Sequence, residues 1–217
     1  QAVELKSFEK HPYRFPVIGL HQDVLQITQS RMLEHYRSFY VPNNAVLVIV
    51  GDFQTSSTLE RIQELFGPIP SRTLPELRLD EEPFRDQQVR VEVRRPSHIP
   101  RMLFAFPAPS VLQDDHYAFQ ILERILSEGK LSRLYQRLVE DSQLASVVST
   151  ELGDTRDRYL FFVGLDLKKE TDLNRTETIL FEELERLTTS PPTAQELRRA
   201  KNQCQMQVLC DSETALD

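Results

Sequence analysis

The sequence lacks the features that would indicate a nucleotide site, a membrane span or a nucleic-acid surface. It holds only six glycines in 217 residues, and neither a Walker loop nor a dinucleotide fingerprint is present, so a phosphate cradle is not expected. No apolar run approaches the ~20 residues of a transmembrane helix, and no signal peptide is recognisable. The net charge of −7 argues against nucleic acid as a partner, because phosphate contacts need clustered Lys and Arg.

The two cysteines do not predict a disulfide. Cys204 and Cys210 lie in one predicted helix, where their separation along the axis is ~9 Å. A disulfide needs Cα atoms within ~7 Å, so both are expected to be ordinary thiols. Cysteine content therefore leaves the compartment open; the protein is expected to be soluble, and cytoplasmic or periplasmic if it is bacterial.

The composition predicts a globular fold of one or two domains. Hydrophobic residues make up 40% and charged residues 27% of the chain, which is typical of folded proteins. At about 150 residues per domain, the length allows one domain or two. The chain begins with Gln1 instead of Met, which predicts an expressed fragment or a processed form.

The segment from His11 to Asp52 predicts a loop, a helix and a buried strand. Thr28 can cap a helix whose apolar residues recur every three or four positions: Met32, Leu33, Tyr36, Phe39 and Tyr40. Pro42-Asn43-Asn44 ends this helix in a turn. The residues from Ala45 to Val50 are apolar throughout and predict a strand covered on both faces.

The rest of the chain predicts helices around a second set of strands. Capping-box patterns at Ser57/Glu60 and Thr193/Glu196 open two of the helices, and Asp172 opens another. Residues 68–86 are rich in proline and charge and predict a linker. Strands are predicted near 88–94, 101–106, 144–152 and 158–167, with Leu103 in the core. Strands in adjacent pairs between helices predict an α+β fold, with an antiparallel or mixed sheet packed against helices.

Two motifs resemble those of a known family. The first is HPY, then Pro-x-Ile-Gly, a Thr-capped helix ending in Phe-Tyr, and PNNAVLVIVGD; the second is SEGKLSRLYQRL at 127–138. In this order they resemble the pitrilysin family of zinc metallopeptidases, metallopeptidase family sixteen, which includes mitochondrial processing peptidase and the bc1 core proteins. The resemblance implies that residues 1–67 end a first, zinc-type domain, that 68–86 are a linker, and that 87–217 form the larger part of a second, non-catalytic domain.

The residues of the family's zinc site are not found in this sequence. That site uses H-x-x-E-H, in which two His bind zinc and Glu acts as general base. The five histidines, His11, His21, His35, His98 and His116, include no pair with this spacing. The resemblance places the motif upstream of Gln1. We therefore expect no metal ligand, no catalytic residue and no cofactor in this chain, with zinc only in an upstream domain or a partner subunit.

The family's second functional feature is an Arg and a Tyr, seven residues apart, that stabilise the developing charge on a substrate carbonyl. Val139 and Ser146 stand at the matching positions and cannot replace a cation or a phenol. Gly129, Ser132 and Arg133 remain as candidates that line a peptide chamber. The alternative, which we favour, is that Ser132 caps a helix and that Arg133 is exposed.

The resemblance leaves two functions open. In the first, the parent protein is a zinc endopeptidase and this region, inactive alone, forms the chamber wall opposite the zinc domain, with a peptide or an unfolded protein as substrate. In the second, the parent is a non-catalytic scaffold or an inactive partner subunit, as the bc1 core proteins are. The resemblance places the neighbours of the strand at 45–50 largely in an earlier part of the first domain, so we expect self-association through residues 1–67.

Overall fold

The computed structural model describes residues 2–76, 79–80, 82–83, 87–94, 96, 99–168 and 172–213. It divides into two compact units, Gln1–Arg90 and Val91–Asp217. The linker over 68–86 stays a prediction, and residues 77–78, 81 and 84–86 of it lie outside the described residues, as does His98. None of the described helices combines the length and the apolar character that crossing a lipid bilayer requires.

The first unit is helical in its described residues. Its helices are α1 (Ala2–Ser7), α2 (His21–Gln26), α3 (Gln29–Phe39) and α4 (Thr55–Phe66), with 3₁₀ turns at Pro12–Arg14 and Pro42–Asn44. Thr28 caps α3 as predicted, since its hydroxyl accepts a hydrogen bond from the Arg31 N–H at 3.4 Å. Helix α4 begins two residues before the predicted Ser57, whose hydroxyl instead donates to the Gln54 carbonyl.

The predicted strand from Ala45 to Val50 is wrong for this structure. The segment has no strand pairing, and Val46, Val48 and Val50 are 91%, 74% and 85% exposed. A strand that is apolar on both faces needs paired edges and cover on each side. Among the described residues no segment pairs with it, so local β preference is not sufficient to form the strand.

The second unit has the predicted α+β architecture. Three antiparallel strands, β1 (Arg101–Ala108), β2 (Ala145–Leu152) and β3 (Tyr159–Leu167), form a sheet in the order β1-β3-β2. The helices of this unit are α5 (Asp115–Ser127), α6 (Arg133–Tyr135), which continues as a π-helix over Gln136–Asp141, α7 (Leu173–Thr189) and α8 (Ala194–Glu213).

The core of this unit lies between one face of the sheet and the helices. Leu126, Leu134, Leu138, Val163 and Leu180 are completely buried there. In β1 the alternation of side chains turns Met102, Phe104 and Phe106 toward this core. Leu103 lies opposite Gly164, faces away from the core and is 53% exposed. The prediction that Leu103 is a core residue is therefore wrong: its neighbours Met102 and Phe104 face the core instead, because successive residues of a strand point to opposite faces.

The predicted strand near 88–94 is also wrong. The segment is not paired in the sheet, and Val89, Val91 and Val93 are 51%, 42% and 54% exposed. Alternation of apolar and polar residues indicates which face a strand would bury, but a strand forms only where a neighbour pairs with its backbone. This segment spans the boundary between the two units, and the described part of the sheet has three strands instead of four.

Candidate functional site

A closed turn connects α5 to α6 and contains two of the three predicted site residues. Gly129 is exposed and has φ +77°, a conformation that glycine adopts without steric cost. Ser132 is completely buried. Its hydroxyl donates to the Gly129 carbonyl at 2.7 Å, and its N–H donates to the same oxygen at 3.1 Å. Ser132 occupies the N-cap position of α6, but its side chain closes the turn and does not cap the helix.

Arg133, which the favoured alternative expected to be exposed, is largely buried. Its side chain is 14% exposed and makes a two-pronged ion pair with Glu196, Nε to Oε1 at 2.7 Å and Nη2 to Oε2 at 3.1 Å. Its Nη1 also lies 3.8 Å from Glu183 Oε1. Two-pronged Arg–carboxylate pairs fix geometry as well as add energy, so Arg133 holds α6 against α7 and α8.

Glu196 joins this ion pair to the start of α8. The same carboxylate accepts hydrogen bonds from the Thr193 N–H at 2.8 Å and the Thr193 hydroxyl at 2.9 Å. The Glu196 N–H donates back to the Thr193 hydroxyl at 3.2 Å, which confirms the predicted capping box. The Arg133 guanidinium and these Thr193 donors lower the pKa of Glu196 to about 2.

Glu183 on α7 extends the ion pairs into a network. Its side chain is 4% exposed, and its carboxylate lies 3.2 Å from Arg186 and 4.0 Å from Arg137. Arg137 also pairs with the more exposed Glu182 at 3.0 Å. Each carboxylate of the network is paired with at least one guanidinium, so the charges compensate each other. We therefore interpret the network as structural.

The sequence indicated Arg133 and Glu196 separately but did not indicate that they meet. The capping box identified Glu196 as a helix-start residue, and the SRL motif drew attention to Arg133. They are 63 positions apart, and local patterns carry no information about such a pairing. Gly129 and Ser132 thus form a turn and Arg133 a buried ion pair, while their role in lining a chamber stays a prediction.

The positions that would carry the Arg and Tyr hold structural side chains. Val139 is half-buried and packs against the core, and the Ser146 hydroxyl donates to the Asp166 carbonyl at 3.1 Å. In the part of the chain that the structure describes, no three His, Cys, Asp or Glu residues come together in a way that could hold a metal ion. Buried His116 instead faces Asp154 at 3.0 Å.

Comparison with known proteins gives a family match over most of the chain. The model of the family described as peptidase M16 inactive domain matches residues 26–204. Among curated proteins, the zinc protease PqqE of Helicobacter pylori is 24% identical over 200 residues, covering 90% of this chain and 45% of that protein. The uncharacterized zinc protease YmfH of Bacillus subtilis is 25% identical over 149 residues, covering 65% of this chain and 35% of YmfH.

Solved structures share the fold. The crystal structure of a protease from Helicobacter pylori matches with a TM-score of 0.84 at 22% identity, covering 94% of this chain and 50% of that chain. A peptidase M16 inactive domain from Pseudomonas fluorescens matches with a TM-score of 0.76 at 19% identity, covering 94% and 49%. The chain thus spans about half the length of each of these proteins, and less than half of each of the two curated relatives.

Proposed function

The chain belongs to the peptidase M16 inactive-domain family, and on that premise we propose that it forms the non-catalytic wall of a peptide-binding chamber. The opposite wall would be a homologous zinc-bearing domain or subunit, and the ligand an unfolded peptide. The observation that carries the proposal is the match to the inactive-domain model over residues 26–204. The Val139 and Ser146 side chains support it, because neither supplies the cation or the phenol that would stabilise charge on a substrate carbonyl.

The exposed turn at Gly129 is the part of the second unit that we assign to the chamber surface. Lys130 follows Gly129 and is exposed. The Gly129 carbonyl accepts a hydrogen bond from the Ser132 hydroxyl, and the Lys130 carbonyl accepts one from the Gln136 side-chain amide. Because these hydrogen bonds already fix the turn, its residues lose little conformational entropy when a peptide binds. Buried Ser132 and Arg133 then act by positioning this surface.

A photo-crosslinking amino acid at Lys130 tests this assignment. With a reduced, carboxymethylated protein as the unfolded probe, crosslinks are expected at position 130. The control is the same amino acid at Arg156, which is also exposed and lies near the opposite end of α5, about 20 Å away. Equal crosslinking at the two positions, or crosslinking of the same protein in its folded form, would contradict the chamber wall.

The chain alone is expected to bind no catalytic zinc and to cleave no peptide. Catalytic zinc needs three protein ligands and an open position, and no such group exists among the described residues. Metal analysis after dialysis against zinc should give much less than one zinc per chain. Stoichiometric zinc together with proteolysis that a chelator abolishes would overturn this expectation.

The chain is also expected to self-associate through residues 1–67. Among the described residues no strand pairs with the segment from Ala45 to Val50, and the apolar side chains from Val46 to Val50 are 42% to 91% exposed. Such a segment can pair with a second copy, and a stable contact should bury ~1,000 Å² or more. Light scattering should therefore report a dimer or a larger species.

Charge placed in this segment should prevent the association. Val48→Lys changes a side chain that is 74% exposed, so the fold should be retained while the molecule becomes monomeric. The matched control is Leu112→Lys, which is 75% exposed in the second unit and should leave the association unchanged. A wild-type chain that remains monomeric at high micromolar concentration would show that residues 1–67 do not mediate association.

A further inference from the structure

A groove of about 650 Å³ runs along α8 in the second unit. On α8 its lining residues recur every three or four positions from Gln195 to Cys210, so they form one face of the helix, about 22 Å long. The other side is lined by Arg124 and Glu128 at the end of α5 and by Leu131. We call this feature the α5–α8 groove.

The α5–α8 groove is basic, although the chain as a whole carries a net charge of −7. Arg124, Arg198 and Arg199 line it, with Glu128 as the single carboxylate. Arg124 pairs with Glu128 at 3.0 Å. Arg198 is exposed and has no ion-pair or hydrogen-bond partner among the described residues, so the groove keeps an uncompensated positive charge.

Three groove-lining side chains have a buried polar atom that makes no hydrogen bond within the described residues: Arg124, Arg199 and Gln203. Arg199 donates from Nη2 to the Leu131 carbonyl at 2.9 Å. Within the described residues, its Nε and the Oε1 of Gln203 are buried and make no hydrogen bond. Buried polar atoms are normally paired. The Arg199 and Gln203 side chains both line the groove, and their two unpaired atoms offer one donor and one acceptor to a molecule bound there.

We infer that the α5–α8 groove binds an acidic peptide segment. Its carboxylates would pair with Arg198 and the Arg199 Nε, and a backbone N–H would satisfy Gln203 Oε1. Its apolar side chains would cover Leu131 and Met206, which are 66% and 58% exposed. A phosphate group supplies acceptors but neither the amide donor nor the apolar contacts, and a cation is repelled by the arginines.

This inference names a ligand class for the surface beside Gly129, whose Cβ position lies 3.9 Å from the Gln203 amide nitrogen. To that extent it rests on the proposed chamber wall. The chamber wall and the acidic-peptide groove can be refuted independently of each other. Crosslinking at position 130 asks whether any unfolded chain reaches this surface, whereas the groove requires that the bound peptide be acidic.

Fluorescence anisotropy with a labelled peptide of the repeat Glu-Ala-Leu-Gly, added to the full chain, tests the inference. Binding is expected, and it should weaken as salt rises because the arginines contribute charge. The same peptide with every Glu replaced by Gln should bind at least tenfold more weakly. Equal binding of the two peptides, or equally effective competition by inorganic phosphate or by an oligonucleotide, would overturn the inference.

Arg198→Glu should weaken binding of the acidic peptide at least tenfold. Because Arg198 is exposed and without a partner among the described residues, this change should leave the melting temperature unaltered. The matched control is Arg175→Glu on α7, an exposed arginine outside the groove whose replacement changes the net charge by the same amount. An equal loss for both variants would show that only the overall charge matters and would overturn the groove as a site.

Discussion

Val163→Asp is expected to unfold the second unit. Val163 is completely buried on the central strand β3, where it pairs with Phe104 on one side and Thr150 on the other. An unpaired carboxylate at this position would lose its hydration without gaining a partner, which costs several kcal/mol. Domains have only ~5–15 kcal/mol of net stability, so far-UV circular dichroism should show a lost or strongly lowered thermal transition.

Leu103→Asp is the matched control for this prediction. It places the same charge on the same sheet, but Leu103 faces away from the core and is 53% exposed, so the expected cost is below about 1 kcal/mol. The two variants should therefore differ by tens of degrees or by the presence of a transition. Equal destabilisation would mean that the two faces of the sheet have been assigned incorrectly.

The contrast between these two residues illustrates what the sequence could predict. The apolar stretches predicted β1, β2 and β3 within about two residues, because a strand in a two-layer fold has a strong local pattern. In β1, however, every residue from Met102 to Phe106 is apolar, so the side chains on both faces of the strand are apolar and the sequence does not show which face is buried. The choice between Leu103 and Phe104 as the core residue depends on pairing with β3, which is a long-range property.

The two wrong strands have the same physical origin. The segments at 45–50 and 88–94 contain the β-branched residues that favour strands. Neither has a hydrogen-bonding neighbour in the described part of the chain, and without that ladder the extended backbone remains exposed to water. Helix starts were predicted better, at Thr28, Asp172 and Thr193, since a cap depends on residues within three positions.

The candidate site shows the same limit. Family resemblance located the SRL motif, and the capping box located Glu196, because both are local patterns. The burial of Arg133, its pairing with Glu196 and the proximity of Glu183 depend on how α6, α7 and α8 pack. A sequence pattern assigns a lone arginine to the surface by default, as charged residues are mostly exposed, and here tertiary packing overrides that default.

Glu196→Gln is expected to destabilise the second unit at neutral pH and much less in acid. The pKa of Glu196 is lowered from 4.5 to about 2 by Arg133 and Thr193, and each pKa unit corresponds to ~1.4 kcal/mol. The ionised carboxylate is therefore expected to contribute on the order of 3 kcal/mol relative to its protonated form. Because the folded-state pKa is depressed, this stability is present above pH 4.5 and is lost as pH falls toward about 2.

Urea unfolding of the wild type and the variant at several pH values between about 7 and 2.5 measures this effect. Other carboxylates also titrate in this range, so the informative quantity is the difference in unfolding free energy, which should shrink from about 3 kcal/mol toward zero as Glu196 becomes protonated. Gln keeps a hydrogen-bonding group for the Thr193 cap, so the substitution isolates the charge.

The control is Glu185→Gln, at an exposed position on α7, which should follow the wild type at every pH. If the wild-type and Glu196→Gln curves coincide at every pH, the ion pair with Arg133 makes no net contribution to stability, as is found for some buried pairs.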